Sequence, residues 1–227
     1  VVVYGKGICI PMSSCRALWA LMYAGVKDVR LLNGGFDAWR RYGGRLAAQP
    51  RVPTRVPQFN STGLCVREYL ASTAEVEAIA SRCNSLTSPS PSPCSAVPGV
   101  LVDIRKLGEF DGSFADNYHF FTKSGHIPTA VYQGNWDVLV NLEESTLRDL
   151  DEVQSRWETL DLTADRAPLI FYCGTGWRST IGFFLAFLMG MDAKNYDDSF
   201  YGWTWSDNVV HTTASESQNP KPETCTE

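Results

Sequence analysis

The sequence has little of what metal centres and nucleic-acid binders use. Three histidines serve 227 residues, and none stands at metal-ligand spacing from a cysteine. No Cys-x-x-Cys pair occurs, so neither a zinc knuckle nor a dithiol redox motif is encoded. Basic runs are absent and the formal net charge is -5, which argues against a nucleic-acid partner. The longest apolar run, Ile181 to Met191, is too short to span a bilayer and predicts a core helix. No secretory or amphipathic basic leader is visible. The chain opens on Val1-Val2-Val3-Tyr4 without an initiator methionine, and a start in mid-strand predicts a missing upstream part. Seven cysteines (Cys9, Cys15, Cys65, Cys83, Cys94, Cys173 and Cys225) are scattered without framework spacing. That odd count predicts a reducing compartment, cytoplasmic or mitochondrial. The 44% hydrophobic content is that of a soluble globular chain of one or two domains.

What is present centres on Ile170-Phe171-Tyr172-Cys173-Gly174-Thr175-Gly176-Trp177-Arg178-Ser179-Thr180. An apolar run ends in a cysteine, a loop with two glycines leads to an arginine, and an amphipathic run follows. This reads as a buried strand, a tight loop and a helix start. Gly174 and Gly176 allow successive N–H groups to turn inward as an anion-binding nest. The helix N-terminus adds unpaired N–H groups and a positive dipole end. A cysteine there is expected to be thiolate-rich and nucleophilic, and Arg178 adds a fixed charge able to grip an oxyanion. The alternative is a small buried hydrophobe at a strand end; the arginine, the Ser-Thr pair and the strand favour the active-site loop.

Along the chain, Val1 to Tyr4 predicts a strand, Gly5 to Ser13 a loop, and Cys15 to Ala24 a helix capped by Ser13 or Ser14. Val29 to Leu32 predicts a strand, and Phe36 to Tyr42 a short helix. The same order recurs in Leu169 to Tyr172, Cys173 to Arg178, Ser179 to Met189, and Ala193 to Tyr196. Tyr4-Gly5 then lines up with Tyr172-Cys173, and Phe36-Asp37-Ala38-Trp39 with Phe200-Tyr201-Gly202-Trp203. Such a repeat is best explained by duplication of one α/β unit. Gly5 stands where the second copy has its nucleophile, and Cys9 falls four residues late, so no chemistry is expected in the first. Residues 46–58, with Pro50, Pro53 and Pro57, form a linker by composition. Ser72-Thr73-Ala74-Glu75 resembles a capping box. The Ser-Pro tract from Ser85 to Cys94 predicts a disordered insertion over 85–98. Val100 to Ile104 predicts a central strand of a parallel sheet, Ser145 to Leu160 an acidic amphipathic helix, and 209–227 a disordered tail.

Cys173-Gly174-Thr175-Gly176-Trp177-Arg178 followed by Ser179 resembles the active-site loop of the rhodanese (thiosulfate sulfurtransferase) superfamily. Leu101-Val102-Asp103-Ile104-Arg105 with Glu109-Phe110, and Gly125-His126-Ile127-Pro128-Thr129-Ala130, fit the same family in the right order. The resemblance covers roughly residues 100 to 205. It implies an α/β fold, a rhodanese-like domain with a parallel central sheet flanked by helices, preceded by half of a second such domain. Residues 1–45 would be the trailing half of an inactive copy and 59–208 the catalytic domain, as in tandem rhodaneses with a silent first copy.

The resemblance implies sulfur transfer in two steps, with neither metal nor organic cofactor. Cys173 takes sulfur from thiosulfate as a persulfide, and a thiol or cyanide accepts it. Gly174, Thr175, Gly176, Trp177, Arg178 and Ser179 would bind the donor and persulfide; Asp103 and Arg105 would support the loop. His126 is expected in an architectural turn rather than as a base. Mercaptopyruvate sulfurtransferases usually carry an arginine where Glu109 stands, and Glu109 would repel that substrate's carboxylate, so thiosulfate is the expected donor. A persulfide carrier that docks a partner remains a second reading. A cysteine phosphatase or arsenate reductase is a third, although those loops place five residues between Cys and Arg, and here there are four.

Overall fold

The apolar runs and the glycine turns between them fold into strand–helix units around one parallel sheet. The computed structural model describes residues 1–7, 10–49, 52, 54–55, 65–81, 98–114 and 121–212. The elements begin with β1 (Val2–Val3), α1 (Ile10–Tyr23), β2 (Arg30–Leu31), α2 (Gly35–Arg41), α3 (Thr73–Ala80), β3 (Val100–Asp103) and α4 (Leu107–Asp111). They continue with β4 (Val131–Tyr132), β5 (Val140–Asn141), β6 (Thr146–Leu147), α5 (Leu150–Glu158), β7 (Leu169–Tyr172), α6 (Ser179–Leu188), β8 (Ala193–Asn195) and α7 (Ser199–Trp205). The main sheet has the order β4-β3-β7-β8, with every neighbour parallel. β1 and β2 make a second parallel pair, and β5 and β6 a small antiparallel hairpin. No helix among the described residues is long and apolar enough to cross a membrane.

The central strands β3 and β7 are buried along their whole length, as a sheet covered on both faces requires. Their period-two alternation divides the core. Val100, Val102, Leu169, Phe171 and Cys173 face one side, where α1, α5 and α6 cover them through Leu18, Trp157 and Phe183. Leu101, Ile170 and Tyr172 face the other, beneath α3 and α7. That parity turns the strand-end thiol toward α1 and α6. On α1, Cys15, Leu18, Trp19 and Met22 recur at helical spacing and are buried in this core. Burying each large side chain there contributes about 1.5–3 kcal/mol.

The first and second strand–helix runs bond alike. Leu32 N–H donates to Val3 O at 2.9 Å, as Tyr196 N–H does to Phe171 O at 2.9 Å. Phe36 N–H donates to Gly5 O at 2.8 Å, as Phe200 N–H does to Cys173 O at 3.0 Å. The residue before each phenylalanine is left-handed, Gly35 at φ 58° and Ser199 at φ 52°. Gly5 therefore holds the place in its unit that Cys173 holds in the other.

Three expectations differ from the structure. Helix α1 begins at Ile10 rather than Cys15, because Pro11 fits a first turn, where its missing N–H costs nothing. Ser13 and Ser14 accordingly lie inside the helix instead of capping it. The helix expected from Ser145 starts only at Leu150, since Thr146–Leu147 pairs with Val140–Asn141 and the Asp149 carboxylate caps α5 by accepting from Asp151 N–H at 3.0 Å. Residues 209–212, expected in the disordered tail, belong to the fold. His126 and His211 exchange backbone hydrogen bonds of 2.8 and 2.9 Å, and Trp203 Nε1 donates to Val209 O at 2.8 Å. Cys9, insertion residues 85–97, much of the linker and residues 213–227 lie outside the described residues.

Candidate active site

The loop after β7 is shaped by what grips its carbonyls. Cys173 O and Gly174 O each accept from the first turn of α7, from Phe200 N–H and Tyr201 N–H, both at 3.0 Å. Gly176 O accepts from Arg16 Nη1 at 3.2 Å and Asn195 Nδ2 at 3.5 Å. Gly176 itself is left-handed at φ 79°, and a Cβ there would lie 2.4 Å from Asp197 O, so only glycine fits. With these carbonyls held outside, loop amides are left facing the sulfur. The N–H groups of Thr175 and Ser179 reach Cys173, and the Ser179 hydroxyl donates to Sγ at 3.6 Å. Ser199 Oγ accepts from Cys173 N–H at 3.1 Å and donates to Tyr196 O at 2.9 Å, which fixes the Cys173 backbone.

Burial alone pushes the Cys173 thiol up. The Arg178 charge, the N–H and hydroxyl of Ser179 and the N–H of Thr175 outweigh it and hold the thiol below its ordinary range. The buried setting is thus shifted toward the thiolate by the arginine, the amides and the hydroxyl. Arg178 does not stand alone: its Nη1 and Nη2 donate to Glu109 Oε2 and Oε1, both at 2.8 Å. Glu109 also accepts from Lys106 N–H at 3.1 Å, closing the first turn of α4. The carboxylate expected to repel an anionic substrate is therefore buried under the arginine and neutralised by it.

Asp103 and Arg105 form a buried pair at the end of β3, with Nη2 to Oδ2 at 2.7 Å. Arg105 Nη2 also donates to Gly125 O at 2.7 Å, and its guanidinium lies 4.1 Å from the Phe200 ring centroid. The pair ties β3 to the Gly125 turn and to the helix that holds Cys173 O. His126 Nδ1 faces Phe110 O at 2.8 Å, and its ring stacks on Phe110 at 3.9 Å. Burial holds this imidazole below its ordinary range. A Cβ on Gly125 would meet His211 O at 2.1 Å, which accounts for the glycine in that turn.

Cys173 opens into a cavity of about 490 Å³. Thr175, Trp177 and Arg178 line it from the loop, Met12 from α1, and Asn135, Trp136 and Asp137 from the turn after β4. The Asn135 Oδ1 is buried there without a hydrogen-bond partner. Trp177 is half exposed and forms one wall. The loop residues Gly174, Gly176 and Ser179 are buried around the sulfur. Two residues that shape the site escaped sequence reasoning. Ser199 was discoverable, since the repeat aligns it with Gly35, a residue at a left-handed turn. Arg16 was not, because it reaches the loop from 160 residues away.

The site is a buried cysteine at the end of a parallel strand, cradled by amides at a helix start and faced by an arginine. The rhodanese-like domain profile matches residues 92–205, and the chain belongs to the rhodanese family. It is 26% identical over 213 residues to the thiosulfate sulfurtransferase YnjE of Escherichia coli, covering 90% of this chain and 44% of that protein. It is 28% identical over 201 residues to the sulfur carrier protein TtuD of Thermus thermophilus, covering 82% and 62%. The anaerobic ergothioneine biosynthesis enzyme from Chlorobium limicola, in complex with its natural substrate trimethyl histidine, superposes with a TM-score of 0.78 at 26% identity, covering 95% of this chain and 51% of that one. The chain thus spans about half to two thirds of the length of these proteins.

Proposed function

We propose that the chain is a sulfurtransferase that carries sulfane sulfur as a Cys173 persulfide, with thiosulfate as donor. The observation that carries this reading is a buried thiol held below its ordinary pKa range by Arg178, the N–H and hydroxyl of Ser179 and the N–H of Thr175, on the wall of an open cavity. The Cys173 thiolate attacks the outer sulfur of thiosulfate, the S–S bond breaks, and sulfite leaves with the electron pair. The persulfide's negative charge then faces the N–H groups of Thr175 and Ser179 and the hydroxyl of Ser179, as an oxyanion would. An acceptor thiolate attacks the outer sulfur, and Cys173 leaves as thiolate again.

In this scheme Arg178 supplies positive potential at the sulfur while Glu109 holds it in place, and Trp177 forms a wall for donor and acceptor. Gly174 and Gly176 give the loop its curvature; Asp103 and Arg105 brace it. The size of the cavity and its Met12, Trp136, Leu142 and Trp177 walls favour an organic thiol over a small anion as acceptor. The matched bonding of the two strand–helix runs supports residues 1–45 as the trailing half of an inactive copy; in this reading 46–58 is a linker and the catalytic domain runs from residue 59, now extended to 212. A carrier that hands sulfur to a partner protein is the second reading, supported by the likeness to the sulfur carrier protein and by the half-exposed Trp177 at the cavity.

Intact mass after incubation with thiosulfate tests the proposal. The wild type is expected to gain one sulfur atom and Cys173→Ser none, with cyanide or a thiol discharging the load. Loading without discharge by small acceptors selects the carrier. Absence of loading by any sulfane donor refutes both.

A further inference from the structure

We infer that Arg16, on the helix of the silent first unit, is a positioning residue for the reactive loop of the second. Its guanidinium forks across two acceptors of that loop's surroundings. Nη1 donates to Gly176 O at 3.2 Å and is ion-paired with Asp197 Oδ1; Nη2 donates to Asp197 Oδ2 at 3.2 Å. Asn195 Nδ2 reaches the same two oxygens, at 3.5 and 3.3 Å, from the end of β8. The guanidinium also lies 4.9 Å from the Trp19 ring centroid and 6.0 Å from that of Trp177, the cavity wall. Its side chain is about one quarter exposed, so the ion pair itself contributes little. Its effect is geometric. Holding the Gly176 carbonyl outward fixes the chain at the left-handed turn between Thr175 and Ser179, the two residues whose N–H groups reach the sulfur. Without the fork, that carbonyl keeps only the longer contact from Asn195, and the Asp197 carboxylate loses its counter-charge beside the loop. Both changes disfavour a negative sulfur.

The other charged groups around Cys173 stay fixed in this comparison: Arg178 with its Glu109, and Lys106 and Asp137 on the cavity wall. The inference rests on Cys173 being the reacting thiol and on nothing else in the proposed function. A unit without a nucleophile of its own would then act in cis, setting the reactivity of the unit that has one.

The test is the pH dependence of iodoacetamide alkylation at Cys173, mapped by peptide, in the full chain. Arg16→Met keeps the apolar stem and removes the fork. Its midpoint is expected to rise by about half a unit to one unit, slowing alkylation at neutral pH about three- to tenfold. Arg16→Lys should fall between Arg16→Met and wild type, because one ammonium cannot hold both acceptors in a fork. Circular-dichroism melting separates this from unfolding. An unchanged midpoint and rate in a folded Arg16→Met overturns the inference. If that variant does not fold, Arg16→Lys, which keeps the charge and breaks the fork, decides: a raised midpoint supports positioning and an unchanged one refutes it. Should the midpoints move while the wild type takes up no sulfur from any donor, the proposed function falls and the positioning role stands.

Discussion

Cys15 and Cys173 are both buried in the same core, and their surroundings separate them. Burial pushes the Cys15 thiol up to about 12, whereas N–H groups and the Arg178 charge bring Cys173 down. At neutral pH, native-state alkylation should label Cys173 well ahead of Cys15; equal rates would show that the cradle does not act on the sulfur. The sign of the pH dependence follows. The folded pKa of Cys173 lies below its ordinary value, so its thiolate adds stability above the unfolded pKa. The contribution is lost as pH falls through the folded pKa. Persulfide loading should rise with pH and level off before a solution thiol would. Beside it, Glu109→Gln halves a buried ion pair and strands the Arg178 charge, at a cost of about 3–5 kcal/mol in urea unfolding. A loss well under 1 kcal/mol would mean that the pair is not desolvated as drawn. The cradled cysteine and its loop were legible in the sequence because they are contiguous. The Glu109–Arg178 pair was not, since 69 residues separate its partners and no local pattern joins them.

Elements were legible where apolar spacing decides them, and less so where a single cap or pairing does. β3, β7 and α6 follow from their apolar runs. The start of α5 depends on the Asp149 cap and on a two-residue strand, too short to show a period. The seating of α6 on β7 depends on Gly182, which periodicity counts as merely a weak helix former. A Cβ at Gly182 would lie 2.4 Å from Cδ1 of Phe171. Gly182→Ala is therefore expected to lose about 1–3 kcal/mol through overpacking, although alanine has the higher helix propensity. It would also lift the helix start that cradles Cys173, so loading should slow along with the fall in Tm. A gain in Tm would show that α6 has room on the sheet and that propensity wins.

At the scale of the molecule, the repeat of two short motifs in the same order was legible, yet how the two strand–helix runs meet was not. Sequence repetition carries no information on docking, and a linker read from composition carries none either. In the structure the helix of the first unit packs on the helix of the second. Cys15, Leu18, Trp19 and Met22 share a continuous core with Phe183, Phe184 and the β7 residues that lead to Cys173. Trp19 Nε1 donates to Tyr69 O at 3.1 Å, and Val66 N–H to Tyr23 O at 2.7 Å, fastening α1 beyond the linker as well. Local openings follow contiguous cooperative units, so a shared core should make α1 and α6 one such unit. Native-state hydrogen exchange checks this. Leu18→Ala removes a fully buried side chain from α1 and should lower protection by about 2–5 kcal/mol, in α6 as much as in α1. If the loss were confined to α1, the first unit would open independently, and Arg16 would leave the loop whenever it did. Equal loss in both helices would mean that the silent unit is part of the reactive domain's own core, and that the cradle around Cys173 lasts only as long as α1 stays docked.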